Sequence, residues 1–138
     1  MKTAKQIGNI GEDIAEKYLR RKGFRILSRN YSVRGGEIDI IAYKAGVLVY
    51  CEVKSRTSDE FGTPASAVDG EKIKNIKHTS RAFLSAYRKG GKIPVFYPFG
   101  IRAMRRIRKQ RIDIIEVYLT RDCKPIKINH IKDRESWL

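Results

Sequence analysis

The chain has 138 residues, enough for one domain with a single core. Thirty Lys and Arg against fifteen Asp and Glu give a formal net charge of +15, which favours nucleic acid as partner, ahead of an anionic membrane surface, and argues against an acidic small molecule. The apolar runs are far shorter than the roughly 20 residues that span a bilayer, and residues 1–6 lack the apolar stretch of a signal peptide, so we expect a cytoplasmic protein without membrane contact.

The first predicted element is a helix over about residues 4–22. Apolar residues recur at helical spacing, basic residues crowd its end, and Gly23 suits the left-handed position after a helix. Glu12 points within about 20° of Leu19, seven residues later, and therefore toward the protein. It is either an inward carboxylate that needs a proton, a cation or a donor, or a Glu at the edge of the apolar face that reaches water.

Three strands are predicted after this helix. The run over 24–31 predicts the first, and the Ile- and Val-rich runs over 35–42 and 49–56 predict the second and third. A four-residue hairpin loop between the second and third strands pairs Tyr43 with Leu48. A slip of one residue would reverse the faces of one strand unless a bulge corrected it, so this register is a testable prediction.

The register brings charged side chains of the two strands together. Asp39 comes opposite Glu52, where side chains lie about 5 Å apart, and Lys54 shares the face of Glu52. Two such carboxylates repel, and a hard divalent ion such as Mg²⁺ would remove the repulsion. The alternative is a solvated strand face on which Lys54 pairs with Glu52. Glu37 falls on the same face as Asp39, where it is either an alternative metal ligand or an ion-pair partner of Lys54.

A second helix is predicted from an N-cap at Asp69 to Gly90, after a polar connection over 57–64. One face of this helix is apolar, and another carries a row of cations: Lys74, Lys77, Arg81 and Arg88. Such a row is usually a solvated face. Because no acidic residue occurs from Lys72 through Ile112, the pattern favours an anion-binding surface.

Residues 93–110 form a basic insertion whose prolines exclude a central strand. Its second half predicts a short basic helix with Met104 and Ile107 turned inward. Two roles are open for this segment. It is either a DNA-contacting flap whose aromatic residues stack on unpaired bases, or a dimer arm.

Two further strands complete the predicted sheet. The run over 111–118 is the fourth strand, reached from the third by a right-handed crossover through the second helix. Residues 125–131 give a fifth, edge-like strand, and 132–138 a polar tail. The predicted fold is a single α/β domain over 1–138, with a mixed sheet flanked by helices in αβββαβ order.

The histidines and cysteines carry no predicted chemistry. His78 and His130 lack metal-ligand spacing. Cys51 alternates with apolar neighbours, and two cysteines as isolated as Cys51 and Cys123 suit neither a disulfide framework nor a zinc site.

A set of motifs runs through the chain in order, over residues 8–15, 18–19, 22–27, 29–31, 34–42, 52–56, 61–64, 67–68, 111–113 and 130–131. With these motifs the chain resembles the small bacterial YraN-like proteins, predicted endonucleases of the PD-(D/E)xK superfamily that are grouped near Holliday-junction resolvases. Asp39, Glu52 and Lys54 stand at the positions of the superfamily signature.

The resemblance implies a restriction-endonuclease-like core and metal-dependent cleavage of DNA, with branched or structured DNA as substrate. Asp39, Glu52 and the carbonyl of Val53 would hold Mg²⁺ or Mn²⁺, Lys54 would position the attacking water, and Glu12 would complete the outer shell. Branch-cutting enzymes of this fold work as dimers, which implies a homodimer. The expected nucleic-acid contacts are Arg34, Arg56, Lys74, Lys77, Arg81, Arg88, Arg105, Arg106 and Arg111.

Two other functions fit the charge of the chain. One is a nucleic-acid-binding protein that retains the nuclease fold without turnover, which binding without Mg²⁺-dependent nicking would select. The other is an RNA-associated structural protein, which co-purifying RNA and indifference to the carboxylates would favour.

Overall fold

The computed structural model describes residues 2–57 and 70–137, with side chains described through Asp133. The elements, in chain order, are α1 Ala4–Arg21, β1 Arg25–Val33, β2 Gly36–Lys44, β3 Val47–Arg56, α2 Gly70–Tyr87, β4 Lys92–Phe96, β5 Arg102–Arg106, β6 Lys109–Leu119 and β7 Pro125–Trp137. This is the predicted α/β class. The predicted N-cap at Asp69 and the motifs over 61–64 and 67–68 lie outside the described residues.

Within residues 2–57 and 70–137, the main sheet has five strands in the order β1-β2-β3-β6-β7. β1, β2 and β3 are antiparallel neighbours, β6 is parallel to β3, and β7 is antiparallel to β6. The sheet is therefore mixed, as predicted. The parallel pair follows from the connection, because a chain that returns through α2 enters β6 in the direction of β3.

The two long helices cover opposite faces of this sheet. α1 begins at a capping box, in which Thr3 and Gln6 satisfy each other's backbone amides, and it buries Ala15 and Leu19 in one apolar cluster with Val49. α2 buries its apolar stripe in a second cluster, around Tyr50. Burial of a large apolar side chain contributes about 1.5–3 kcal/mol, so both helices are fixed mainly by packing. Neither is apolar enough over a sufficient length to cross a bilayer.

The basic insertion forms a hairpin, so the predicted short helix is wrong. β4 and β5 make a separate two-stranded antiparallel sheet in which Pro94 faces Met104. A short 3₁₀ turn, Pro98–Gly100, joins them with positive φ at Phe99 and Gly100. Proline is tolerated because a strand with one neighbour has a free edge. The helix was predicted wrongly because a strand of five residues is too short for its apolar pattern to distinguish the strand period of 2.0 from the helix period of 3.6.

The end of the chain also differs from the prediction of a polar tail after residue 131. β7 continues to Trp137, and its second part pairs with β6 from Ile112 opposite Glu135 to Gln110 opposite Trp137. The ladder is irregular between Ile112 and Ile114, near Asp133 with its φ of 61°. Beyond this irregularity β7 pairs with β6 again, although the polar residues of this segment did not indicate a strand.

Candidate functional site

The register between β2 and β3 is the predicted one, in which Tyr43 pairs with Leu48. Lys44 pairs with Val47, so the connecting turn has two residues and is tighter than the four-residue loop predicted. Both turn residues have positive φ, 48° at Ala45 and 89° at Gly46, which matches the twist of a right-handed hairpin. The shorter turn adds one residue pair to the hairpin and does not shift the register, so the predicted residues of β2 and β3 still face each other.

Asp39 lies where the paired part of β2 ends. The last pair at this end is Ile40 with Cys51, so the same register sets Asp39 across from Glu52. The Val53 amide donates a hydrogen bond to Asp39 Oδ2 at 2.8 Å, which orients the carboxylate across the two strands. Asp39 lines a cleft of about 320 Å³ beside α1, together with the predicted residues Glu12, Glu52, Val53 and Lys54.

The cleft brings buried carboxyl groups close together. Burial first, and then the charges of Glu52 and Glu12, raise the pKa of Asp39 to about 7, although the bond from Val53 opposes the rise. The Glu52 side chain is only 6% exposed. Its Oε1 lies 3.6 Å from Lys54 Nζ and 3.4 Å from Lys72 Nζ. Its Oε2 is buried and has no hydrogen-bond partner among the described residues.

Lys72 was not predicted as a site residue. It lies in the first turn of α2, and its ammonium group reaches Glu52 of β3. Strand alternation identifies neighbours on β2 and β3 but gives no information about a side chain that arrives from a helix about twenty residues later. The only sequence signal was its membership of the long basic run.

Arg29 is a second residue that the sequence did not single out. It lies on β1, and its guanidinium contacts three acids of α1: Nη2 reaches Glu12 at 3.3 Å, and Nη1 reaches Asp13 at 3.2 Å and Glu16 at 2.9 Å. Glu12 is therefore turned inward, with 14% of its side chain exposed. The donor that an inward carboxylate requires is supplied by Arg29.

The donor set fits a hard divalent cation. No group of three His, Cys, Asp or Glu side chains close enough to share an ion occurs within residues 2–57 and 70–133. Asp39 and Glu52 bring two carboxylates to the cleft, and Val53 and Glu12 also line it. Oxygen donors of this kind, with water completing the coordination, are the ligands Mg²⁺ prefers. Glu52 Oε2 has no hydrogen-bond partner in the described part of the chain, and burial and the neighbouring carboxylates raise the pKa of Asp39; a bound cation would offset both effects.

The predicted nucleic-acid residues fall into two groups. Most of them are exposed or half-buried: Arg34, Lys74, Lys77, Arg81, Arg88, Arg105 and Arg106. Arg56 is buried beside Glu116, at 3.4 Å, and Arg111 is half-buried and bound through two nitrogens to Asp113. The structure thus brings Arg56 into the core of the sheet rather than to the surface.

Comparison with known proteins places the chain among close relatives. The model of a family described as "Uncharacterised protein family UPF0102" matches residues 11–117. A UPF0102 protein of Alkaliphilus oremlandii is 41% identical over 129 residues, spanning 94% of this chain and 97% of the relative. One from Caldanaerobacter subterraneus subsp. tengcongensis is 37% identical over 128 residues, with 92% of each chain covered. One from Dictyoglomus thermophilum is 39% identical over 120 residues, spanning 87% of this chain and 88% of the relative.

Proposed function

The chain belongs to the uncharacterised protein family UPF0102, and from this premise we propose that it is a metal-dependent endonuclease that hydrolyses phosphodiester bonds in DNA, with branched or structured DNA as substrate. The observation that carries the proposal is the convergence of Asp39, Glu52 and Lys54 with Glu12 in one cleft. A solvated strand face would not require the Glu52 side chain to be 6% exposed, with one oxygen lacking a hydrogen-bond partner among the residues that the structure describes.

Asp39 and Glu52, with the carbonyl of Val53, would hold Mg²⁺ or Mn²⁺. When bound there, such an ion supplies Lewis-acid stabilisation of the phosphate and lowers the pKa of water. The protein contributes orientation: the Val53 amide fixes the Asp39 carboxylate, and Arg29 fixes Glu12 at the edge of the cleft. Preorganised charges of this kind need no rearrangement during the reaction.

Lys54 is the residue that would act on the substrate itself. Its side chain is 33% exposed and its Nζ lies 3.6 Å from Glu52 Oε1, beside the cleft that it lines. There it donates to the attacking water and to a phosphate oxygen. The water oxygen bonds to phosphorus, the phosphorus bond to the leaving oxygen breaks, and the water proton ends on that oxygen.

The exposed cations on α2 support a nucleic-acid substrate. Lys74, Arg81 and Arg88 are exposed on the helix whose first turn brings Lys72 to Glu52. A duplex that follows these side chains lies with one end at the cleft. Phosphate contacts of this kind fix register on the nucleic acid without reading sequence. A homodimer, by analogy with branch-cutting enzymes of the fold, is part of the proposal.

A second candidate is a nucleic-acid-binding protein without turnover. The observation in its favour is that Lys54 and Lys72 both lie within ion-pair distance of Glu52. Two ammonium groups partly balance the carboxylates in the absence of a metal ion. In this case Mg²⁺ would change neither DNA binding nor DNA integrity.

Cleavage assays distinguish the two. The purified protein is incubated with Mg²⁺, Mn²⁺ or EDTA on duplex, single-stranded, flapped and four-way DNA, beside Asp39→Ala and Lys54→Ala. Asp122→Ala and Lys124→Ala, which remove exposed charges of the same sign elsewhere, are the matched controls. We expect metal-dependent nicking that falls at least about 100-fold in the two site variants with binding retained. Equal behaviour of the wild type and both site variants contradicts the enzymatic proposal.

A further inference from the structure

A second cavity, of about 330 Å³, lies at the other end of β2 from Asp39. Among the residues whose side chains are described, its lining includes four cationic ones, Lys22, Lys44, Arg111 and Lys132, and no Asp or Glu. Lys44 is five residues after Asp39 along the strand, a distance of roughly 17 Å. The cavity is therefore separate from the cleft proposed to hold a metal ion.

Two of the lysines are held in place by their surroundings. Lys44 Nζ donates to the carbonyl of Lys22 and lies 5.4 Å from the centre of the Phe24 ring. Lys22 Nζ lies 5.7 Å from the centre of the Tyr18 ring. Cations over aromatic faces lose part of their freedom before any ligand arrives, so less ordering is required on binding.

The third cation, Arg111, is fixed by a buried polar network. Its guanidinium donates to both oxygens of Asp113, at 2.9 and 3.2 Å, and Asp113 is 0% exposed. His130 Nε2 lies 2.7 Å from Asp113 Oδ2, and the Tyr18 hydroxyl lies 2.9 Å from His130 Nδ1. Burial alone would raise the pKa of Asp113, but hydrogen bonds from His130, the Asp133 amide and Arg111 lower it. Asp113 thus stays ionised and holds the Arg111 guanidinium in place.

The cavity has more positive charge than this one carboxylate balances. Asp113 compensates Arg111, whereas no carboxylate of the described side chains lies within 4.0 Å of Lys22, Lys44 or Lys132. Lysines gathered around one concave surface repel each other. The carbonyl end of α1 also disfavours an anion, but Lys44 already covers the Lys22 carbonyl there.

From this arrangement we propose that the cavity formed by Lys22, Lys44, Arg111 and Lys132 is a binding site for a phosphate group. Three ammonium groups and a fixed guanidinium supply charge and several N–H donors for the oxygens of a phosphate. The phosphate belongs either to the end of a nucleic-acid strand or to a phosphodiester within one. The site concerns binding alone, so it stands whether or not DNA is hydrolysed at Asp39.

The test compares a double variant with a charge-matched control. Lys44→Ala with Lys132→Ala removes two exposed cations of the cavity, and Lys5→Ala with Lys124→Ala removes two exposed cations elsewhere. Amide chemical shifts are followed by NMR during titration with inorganic phosphate, against chloride at equal ionic strength. Binding of oligonucleotides with a 5′-phosphate or a 5′-hydroxyl is measured by fluorescence anisotropy in EDTA, which prevents any metal-dependent cleavage.

Phosphate is expected to shift amides of residues 44–47 and 130–132 in the wild type and the control, with affinity at least about tenfold weaker in the cavity variant. If only the 5′-phosphorylated oligonucleotide loses affinity in the cavity variant, the site takes a terminal phosphate. If both oligonucleotides lose it, the site takes a phosphodiester. Shifts spread over the surface, or equal affinities of the cavity and control variants for phosphate and for both oligonucleotides, overturn the proposal.

Discussion

Asp39 is the residue whose ionisation the fold opposes. Burial, and after it Glu52, raise its pKa from 3.8 to about 7. The folded state therefore holds this proton more firmly than the unfolded state. The stabilising contribution of protonated Asp39 is complete below about pH 4 and is lost as pH rises through 7. Each unit of difference between the folded and unfolded pKa corresponds to about 1.4 kcal/mol, so protonated Asp39 contributes at most about 4 kcal/mol to the free energy of unfolding.

The substitution Asp39→Asn isolates this contribution, because the amide keeps an oxygen to accept the Val53 N–H. In EDTA we expect the variant to be more stable than the wild type above pH 7, and the difference to vanish toward pH 4. The measurement is the Tm of both proteins across this range. Mg²⁺ should narrow the difference above pH 7 by stabilising the wild type. A difference that does not change with pH would be inconsistent with a raised pKa at Asp39.

Arg29 provides a second prediction at the scale of single residues. Substituting Arg29→Met removes the guanidinium partner of Glu12, whose side chain is largely covered, and leaves Glu16 paired with Arg20. We expect a loss of about 1–3 kcal/mol in the free energy of unfolding, measured with urea.

Arg20→Met is the control for that loss. Arg20 contacts Glu16 from a side chain that is 52% exposed, where an ion pair contributes less than about 1 kcal/mol. Equal losses in the two variants would show that the contacts of Arg29 with α1 stabilise the protein no more than an exposed ion pair does.

The sequence predicted those residues of the candidate cleft that alternate along adjacent strands. Asp39, Glu52 and Lys54 follow from a period of two and one correct hairpin register. Arg29, Lys72 and His130 did not follow, because each contacts its partner from another element. His130 reaches Asp113 from seventeen positions later, and neither residue carries a local pattern that indicates the other.

At the scale of elements, α1 packs against β3 at a glycine. A Cβ on Gly11 would lie 1.8 Å from Ser55 Oγ and 3.0 Å from Ser55 Cβ, whereas a Cβ on Gly8 would meet nothing within 4 Å. The two positions lie one turn apart in the same helix. Gly11 therefore allows the helix to approach the strand that carries Glu52, and Gly8 has no such packing role.

The two glycines predict opposite effects of the same substitution. Gly8→Ala should stabilise the protein by about 0.5–1 kcal/mol through helix propensity. Gly11→Ala should destabilise it by about 1–3 kcal/mol, because Ser55 or the whole helix must shift. Urea unfolding of both variants measures the difference. Stabilisation of both would mean that α1 is not in close contact with β3.

The elements themselves were predictable to different degrees. α1, the first three strands and the parallel return through α2 follow from long runs with one clear period. The β4–β5 hairpin did not, because its short strands alternate basic and apolar residues in a way that also suits a helix. The extension of β7 was hidden by polar residues whose pairing depends on β6.

At the scale of the whole molecule, charge is distributed unevenly. The acidic cleft lies at one end of β2, while cations cover α2, the hairpin and the cavity around Lys44. A net charge of +15 gives long-range attraction to any polyanion, so affinity for DNA should depend strongly on salt. The carboxylates of the cleft weaken this attraction only in their own neighbourhood.

The salt dependence yields a quantitative prediction. Removing two exposed cations of α2, with Lys74→Ala and Arg81→Ala, should reduce the slope of log affinity for duplex DNA against log salt by about 0.9 for each lost contact. Anisotropy titrations between about 50 and 200 mM salt give the slope. The Lys5→Ala with Lys124→Ala control has the same net charge and should keep the wild-type slope. Equal slopes in all three proteins would exclude α2 from the binding surface.

Binding of Mn²⁺ to the metal-free protein, followed by the EPR signal of free Mn²⁺ well above pH 7, tests most directly whether Asp39 and Glu52 form a cation site. We predict saturable binding of one ion per chain in the wild type and in the α2 double variant, with affinity at least about tenfold weaker in Glu52→Gln. Absence of saturable binding in the wild type, or equal affinity in Glu52→Gln, would contradict the assignment of this cleft as a metal centre.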